Sequence, residues 1–188
     1  MQWDMYQKGF KAFLQLEKSL SNNSIEAYLR DVDKLDHYIY NEYGALSPEE
    51  ITLKHLEGFI RSIGKLEMAA TTQARIISGI KAFFKYCLIE QIVTINPTTL
   101  LPSPKVSRKL PDVLSFEEIE STISQIDLSK PEGQRNKAIL ETMYSSGLRV
   151  SEVVNLKISN IYLDIGFIRV IGKGDKERLV PIGTDAIK

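Results

Sequence analysis

The chain has 188 residues, enough for one large domain or two small ones, and its 43% hydrophobic content is ordinary for a globular protein. One cysteine cannot close an internal disulfide, and with only two histidines beside it no metal-ligand cluster or zinc site is expected. Twenty-four basic residues against twenty-four acidic ones leave no net charge, so any case for a nucleic-acid partner has to rest on where the charges fall.

The N-terminus mixes Trp3, Asp4, Lys8 and Lys11 with its apolar residues and so lacks the uninterrupted apolar segment of a signal peptide. No later stretch is long and apolar enough to span a bilayer, and a soluble cytoplasmic protein is expected. To about Ile95 the chain reads as helices. Phe10, Phe13 and Leu14 form the stripe of a first helix ending near Ser19. Ser21 is placed to cap a second, whose inner face is Ile25, Leu29, Val32, Leu35 and Ile39. Gly44 and Ser47-Pro48 break it. Thr52 opens a third with Leu53, Leu56, Phe59, Ile60 and Ile63, stopping near Gly64. In the fourth, Ile76, Ile77, Ile80, Phe83, Phe84, Cys87 and Leu88 keep to one face over several turns. Four such helices with short connections make a small bundle.

Between residues 96 and 111 the periodicity is lost, and Pro97, Pro102, Pro104 and Pro111 alternate with Lys105, Arg108 and Lys109. Proline stiffens this stretch and removes backbone donors, so it reads as an extended basic linker. The expected division is residues 1–104 and 105–188. Beyond it, Ser115 with Glu118 forms a capping box, a helix runs from about Glu132 to Tyr144 and stops at Gly147, and a short helix starts near Val150. Phe167 to Ile171 and Arg178 to Ile182 read as strands around the turn Gly172-Lys173-Gly174-Asp175. Thr184 and Asp185 resemble the N-cap of another helix with three residues after them, so the chain is expected to stop inside a domain. The strands from Phe167 to Ile182 then lack cover on one face, and self-association through them is expected.

Three groups of residues carry possible chemistry. Arg149 stands where a helix begins, and a cation there opposes the positive end of the helix dipole. Either it completes a phosphate site with the exposed N–H groups, oriented by Glu152, or it pairs with a surface carboxylate. Lys173 sits in a glycine-flanked hairpin tip, which is either solvated or functional; the turn does not fit a P-loop, having Gly174 where Ser or Thr is needed. On the fourth helix Arg75, Ser78, Lys81 and Lys85 are three, three and four residues apart and share one polar stripe. That stripe either follows phosphates and enters a major groove or is an ordinary solvated face. With a neutral total, acidic residues are expected on other faces. Ser24 and Arg30 are weaker phosphate candidates, and His37 and His55 read as surface or packing residues.

Ser146-Gly147-Leu148-Arg149-Val150-Ser151-Glu152, followed by Gly172-Lys173-Gly174-Asp175-Lys176-Glu177-Arg178-Leu179-Val180-Pro181, resembles the tyrosine recombinase family in its Xer-type, phage-integrase-like branch. Ser146 replaces that family's threonine. The N-terminal helices, with Ser21, Ser24, Tyr28 and Asp31, resemble its core-binding domain. The resemblance implies a mainly α fold: a SAM-like four-helix bundle followed by part of an α+β catalytic domain with a small β-hairpin. It also implies site-specific recombination through a 3′-phosphotyrosyl intermediate, with no metal or cofactor, by a protein that works as a tetramer on two duplex DNA sites. Arg149 would stabilise the non-bridging oxygens and Lys173 would protonate the leaving 5′-oxygen. Arg75, Ser78, Lys81, Lys85 and Ser24 would contact DNA, with Lys105, Arg108 and Lys109 crossing it.

No His-x-x-Arg segment and no tyrosine follow Lys173, and Tyr144 and Tyr162 do not match the nucleophile's position, so this sequence alone is expected to bind DNA without cutting it. Two other classes fit the residues: a DNA-binding regulatory module, and a helical protein-interaction domain without nucleic acid. Salt-sensitive DNA binding separates the last from the others.

Overall fold

The computed structural model describes residues 3–106, 110–172 and 176–187. The chain divides into two compact units, Met1–Lys109 and Leu110–Lys188. The first is built on helices α1 (Asp4–Leu16), α2 (Asn22–Tyr43), α3 (Leu53–Lys65) and α4 (Ala70–Ile89). The apolar stripes read from the sequence meet at α4, where Ile76, Ile77, Ile80, Phe83, Phe84 and Cys87 are fully buried. Each such side chain removed from water contributes roughly 1.5–3 kcal/mol, which makes α4 the axis of this unit.

Some positions depart from the sequence reading. Trp3, which the sequence reading placed outside the stripe of the first helix, is fully buried. It stacks on Phe83 at 5.6 Å between ring centroids, and its indole N–H donates to the Leu46 carbonyl at 2.9 Å. Leu88 is exposed, because one residue beyond Cys87 turns about 100° away from the buried stripe. Ser21 stands at the N-cap of α2, yet its hydroxyl pairs with Ser24 Oγ at 3.0 Å instead of capping a backbone N–H. The break in periodicity at Asn96 does not start a linker: Asn96 Oδ1 accepts from the Thr98 N–H at 2.9 Å, and Thr98 and Leu101 are buried against the bundle. Lys105 is exposed in irregular chain; Arg108 and Lys109 lie outside the described residues.

In the second unit, α5 (Phe116–Ser124) opens with the expected capping box: Ser115 Oγ accepts from the Glu118 N–H at 3.2 Å, and Glu118 Oε2 from the Ser115 N–H at 2.7 Å. Then α6 (Pro131–Ser146) ends at Gly147, whose φ of 59° and ψ of 35° are left-handed. That conformation costs an L side chain free energy but not glycine, and the turn it makes delivers Arg149 to the start of α7 (Val150–Val154). Strands β1 (Ile161–Tyr162), β2 (Phe167–Ile171) and β3 (Glu177–Pro181) form an antiparallel sheet in that order, and α8 (Thr184–Ile187) follows. β1 is too short to show alternation in sequence, and it pairs Ile161 with Ile168 and Tyr162 with Phe167. Between β2 and β3, Val170 faces Arg178 and Arg169 faces Leu179.

Period-two alternation sorts this sheet. Ile168 and Val170 pack with Leu148, Val153, Leu156, Val180 and Ile182, so one face is covered within the chain. Phe167, Ile171 and Leu179 lie on the other face and are exposed. We expect the 188-residue chain to self-associate through them, giving a concentration-dependent mass by analytical ultracentrifugation that Leu179→Lys returns to the monomer. A single monomeric species over a wide concentration range in the unaltered chain would contradict this.

Candidate functional site

The best-built polar constellation lies where α7 meets the sheet. Arg149 is the N-cap of α7, in extended conformation. Its backbone N–H donates to Glu152 Oε2 at 2.8 Å, and its Nη1 donates to Glu152 Oε1 at 3.1 Å. Glu152 also takes a fork from Arg178, Nη1 to Oε1 at 2.8 Å and Nη2 to Oε2 at 2.9 Å. Paired parallel bonds of this kind fix orientation as well as supplying attraction. The Glu152 side chain is only 5% exposed, whereas that of Arg149 is 72% exposed. One arginine is consumed in holding the carboxylate; the other is held and still open to solvent.

These bonds set the charge state of the site. The Arg178 fork, then the Arg149 N–H, hold the Glu152 carboxyl down at about 2 against the opposing effect of burial. The same pairing raises Arg178 above its ordinary range. Glu152 is therefore ionised throughout the neutral range, and Arg149 keeps a fixed counter-charge.

Arg149 borders a concavity of about 790 Å³ whose wall includes Glu152, Lys157, Asn160, Arg169 and Gly172. Arg169 donates from Nε and Nη2 to Asn160 Oδ1 at 3.2 and 2.9 Å, and its Nη1 lies 3.8 Å from Glu177 Oε2. Lys157 is exposed. Partly exposed cations around a concave surface make a site suited to an oxyanion such as a phosphodiester. Lys173 follows Gly172 in the chain and lies outside the described residues. Among the described residues there is no cluster of His, Cys, Asp and Glu that could hold a metal ion, and no helix is long and apolar enough to cross a membrane.

Sequence reasoning found Arg149 and its partner Glu152 but missed Arg178, Arg169 and Asn160. The signal for Arg178 lay in the alternation: in β3 it shares a face with Val180, the face that turns inward. An arginine on a core-facing position needs a carboxylate, and Glu152 was the acidic residue already assigned nearby. Asn160 carried no comparable signal, since a short turn gives no period to read.

The second group of candidates is on α4. Ser78 and Lys85 are exposed and Lys81 is partly so. Ser78 Oγ donates to the Ala74 carbonyl of its own helix at 2.9 Å. Arg75 is not a free cation: its Nη1 bonds Oδ2 of Asp31, a fully buried residue of α2. The expectation that acidic residues keep to other faces therefore fails at this position, because the acid sits directly beneath the base. Ser24 is partly buried on the first turn of α2, and Arg30 lies 3.7 Å from Glu26 on the same helix. His37 Nδ1 bonds the Asp33 carbonyl at 2.8 Å, and His55 accepts the Thr52 N–H at 3.2 Å, which are packing and capping roles.

Comparison with known proteins sets these residues in context. Residues 112–188 match the phage integrase family, and residues 8–91 match the phage integrase N-terminal SAM-like domain. Tyrosine recombinase XerD of Staphylococcus aureus is 39% identical over 176 residues, which cover 94% of this chain and 59% of that protein. The XerD of Staphylococcus epidermidis is 37% identical over 184 residues, with the same shares covered. Among solved structures, a lambda integrase tetramer bound to a Holliday junction aligns with 97% of this chain and 52% of its own, at a TM-score of 0.72 and 19% identity, a likeness of fold. The chain thus spans 59% of the length of the curated relatives it matches.

The linkage between Glu152 and its arginines has a defined pH window. A glutamate whose folded value lies at about 2, below its ordinary 4.5, contributes stability that is complete above about 4.5 and is lost as the pH falls toward about 2. Acid titration followed by amide NMR should show residues of α7 and β3 losing dispersion across that window, and Glu152→Gln should already be destabilised at neutral pH and lose less on acidification. An identical acid limb in the variant would mean that Glu152 does not supply this dependence.

Proposed function

The chain belongs to the phage integrase family of tyrosine recombinases, in its Xer-like branch, and from that membership we propose that it serves site-specific DNA recombination. The observation that carries the proposal is Arg149: a guanidinium anchored twice on a buried carboxylate, 72% exposed, at the rim of the concavity that also reaches Gly172. That exposure leaves the remaining guanidinium donors of Arg149 open to an anion from solvent.

In the proposed reaction a tyrosine hydroxyl, releasing its proton to a base or to solvent, attacks the scissile phosphorus. The bond from tyrosine oxygen to phosphorus forms as the bond to the 5′-oxygen breaks, leaving a 3′-phosphotyrosyl link. Arg149 donates hydrogen bonds to the non-bridging oxygens, where charge builds up; a preorganised donor of this kind is commonly worth about 10²–10³ in rate. Lys173 gives its proton to the departing 5′-oxygen. Reversal of the same steps with a 5′-hydroxyl from a partner strand rejoins the DNA without any high-energy cofactor or metal. Because this sequence has no tyrosine after Lys173, the 188 residues contribute the binding and phosphate-stabilising part of the reaction.

The first unit supplies the other half of the reading. Arg75, Ser78, Lys81 and Lys85 on α4, with Ser24 on α2 and the chain at Lys105, Arg108 and Lys109, are assigned to duplex DNA. Phosphate contacts give sequence-independent affinity and position the second unit. The work of the whole protein as a tetramer on two sites, and its place in the cytoplasm with the DNA, belong to the same proposal.

Titration of the 188-residue chain into a labelled duplex of mixed sequence tests the assignment. Affinity should fall steeply with salt, and Lys81→Ala and Lys85→Ala should each reduce the slope of log affinity against log salt by about one unit. On a nicked substrate, denaturing gels should show no covalent adduct. Salt-independent binding, slopes unchanged by both substitutions, or a tyrosine-linked adduct would each contradict this division of labour.

A further inference from the structure

Asp31 is the most deeply buried acid in the first unit, and it has no place in the reaction proposed above. Its residue surface is 0% exposed, one oxygen accepts from Arg75 Nη1, and the other, Oδ1, is out of solvent with no hydrogen-bond partner. Burial pushes its carboxyl above the ordinary range, and the bond from Arg75 is the foremost effect opposing that shift. Helices α2 and α4 come close at this point: a Cβ at Gly79 would stand 3.0 Å from Asp31 Oδ2 and 3.1 Å from Asp31 Cβ, a tight contact.

Its partner indicates the use. The Arg75 side chain remains 42% exposed, and a guanidinium has five N–H donors, of which one is committed to Asp31. It stands one turn from Ser78 on the stripe that continues to Lys81 and Lys85. A closed structural pair would bury the arginine and satisfy both oxygens of the acid. Here the acid is buried and the base half out.

We propose that Asp31 is a positioning residue for DNA binding, holding the Arg75 guanidinium on the exposed face of α4 so that its remaining donors meet a backbone phosphate. The inference rests on the assignment of that face to DNA. Lys81 and Lys85 must lose side-chain freedom when they meet a phosphate, whereas Arg75 has already lost much of its own on folding, so its contact forms at lower entropic cost. The bond from Nη1 to Asp31 Oδ2 holds the guanidinium to this spot with one of its five donors.

The test is a double-mutant cycle on DNA affinity, read by fluorescence anisotropy with the same mixed-sequence duplex, with thermal unfolding of each variant measured without DNA. Asp31→Asn should weaken binding about tenfold in the chain with Arg75, and should have no further effect once Arg75 is replaced in Arg75→Gln. Arg75→Lys is the second readout, independent of any folding defect from altering Asp31. A lysine can keep the ion pair, but its ammonium is a point charge on a flexible stem and lacks the planar fork that aims donors at the carboxylate and outward at a phosphate together, so binding should drop while the unfolding midpoint stays close to that of the unaltered chain. If Asp31→Asn weakens binding equally in both backgrounds, or if Arg75→Lys binds as well as arginine, the positioning role is overturned. Retained effects of Lys81→Ala and Lys85→Ala would then leave the DNA face standing; if those too bind as the unaltered chain does, the assignment of the face falls with the inference.

Discussion

Glu152 accepts hydrogen bonds from the Arg149 backbone, the Arg149 side chain and both terminal nitrogens of Arg178, while its own side chain is almost wholly out of solvent. A carboxylate so placed without partners would be costly, and with them it becomes the point where two distant segments are joined. Residues 146–152 arrive there through the left-handed turn at Gly147, and residues 177–181 arrive along β3. The inner face of the sheet adds Ile168 and Val170 against Leu148, so apolar packing and the ion pairs fix the same alignment. Arg149 is held in this arrangement by its two bonds to Glu152.

The first unit repeats the principle on a different scaffold. There the buried acid is Asp31, the half-exposed base is Arg75, and Gly79 stands at their close approach. In both units an acid sits beneath a base that faces outward. A chain with no net charge can in this way still present cations outward: part of the negative charge lies beneath the surface, orienting the positive charge above it. Counting charges over the whole sequence cannot reveal such an arrangement.

The apolar architecture was largely legible beforehand. Ile76, Ile77, Ile80, Phe83 and Phe84 announce α4 because a helix repeats every 3.6 residues and the core accepts only one stripe. The Ser115–Glu118 box and the Gly147 stop are local signals whose physics needs no tertiary context. Trp3 was not legible, since its burial depends on Phe83 and Leu46 from far along the chain. Nor was the packing of Thr98 and Leu101, because prolines around them mask a turn that folds back on the bundle. For the site, Arg149 and Glu152 could be paired from spacing on one helix turn. Arg178 required knowing that β3 turns that residue inward, and Arg75 looked like a free cation because Asp31 lies 44 residues away.

The central claim is that Glu152 organises the two arginines into a single preformed site. It is tested most directly by the arginine Nε–Hε NMR spectrum of the 188-residue chain at neutral pH, compared with that of Glu152→Gln. In the unaltered chain, Arg178 and Arg149 should give resolved side-chain signals displaced from those of freely solvated arginines. In the variant both should collapse toward the solvated position, while amide signals of the first unit stay unchanged. Arginine signals that keep their displacement when the Glu152 charge is removed would show that something other than this carboxylate holds them, and would contradict the account.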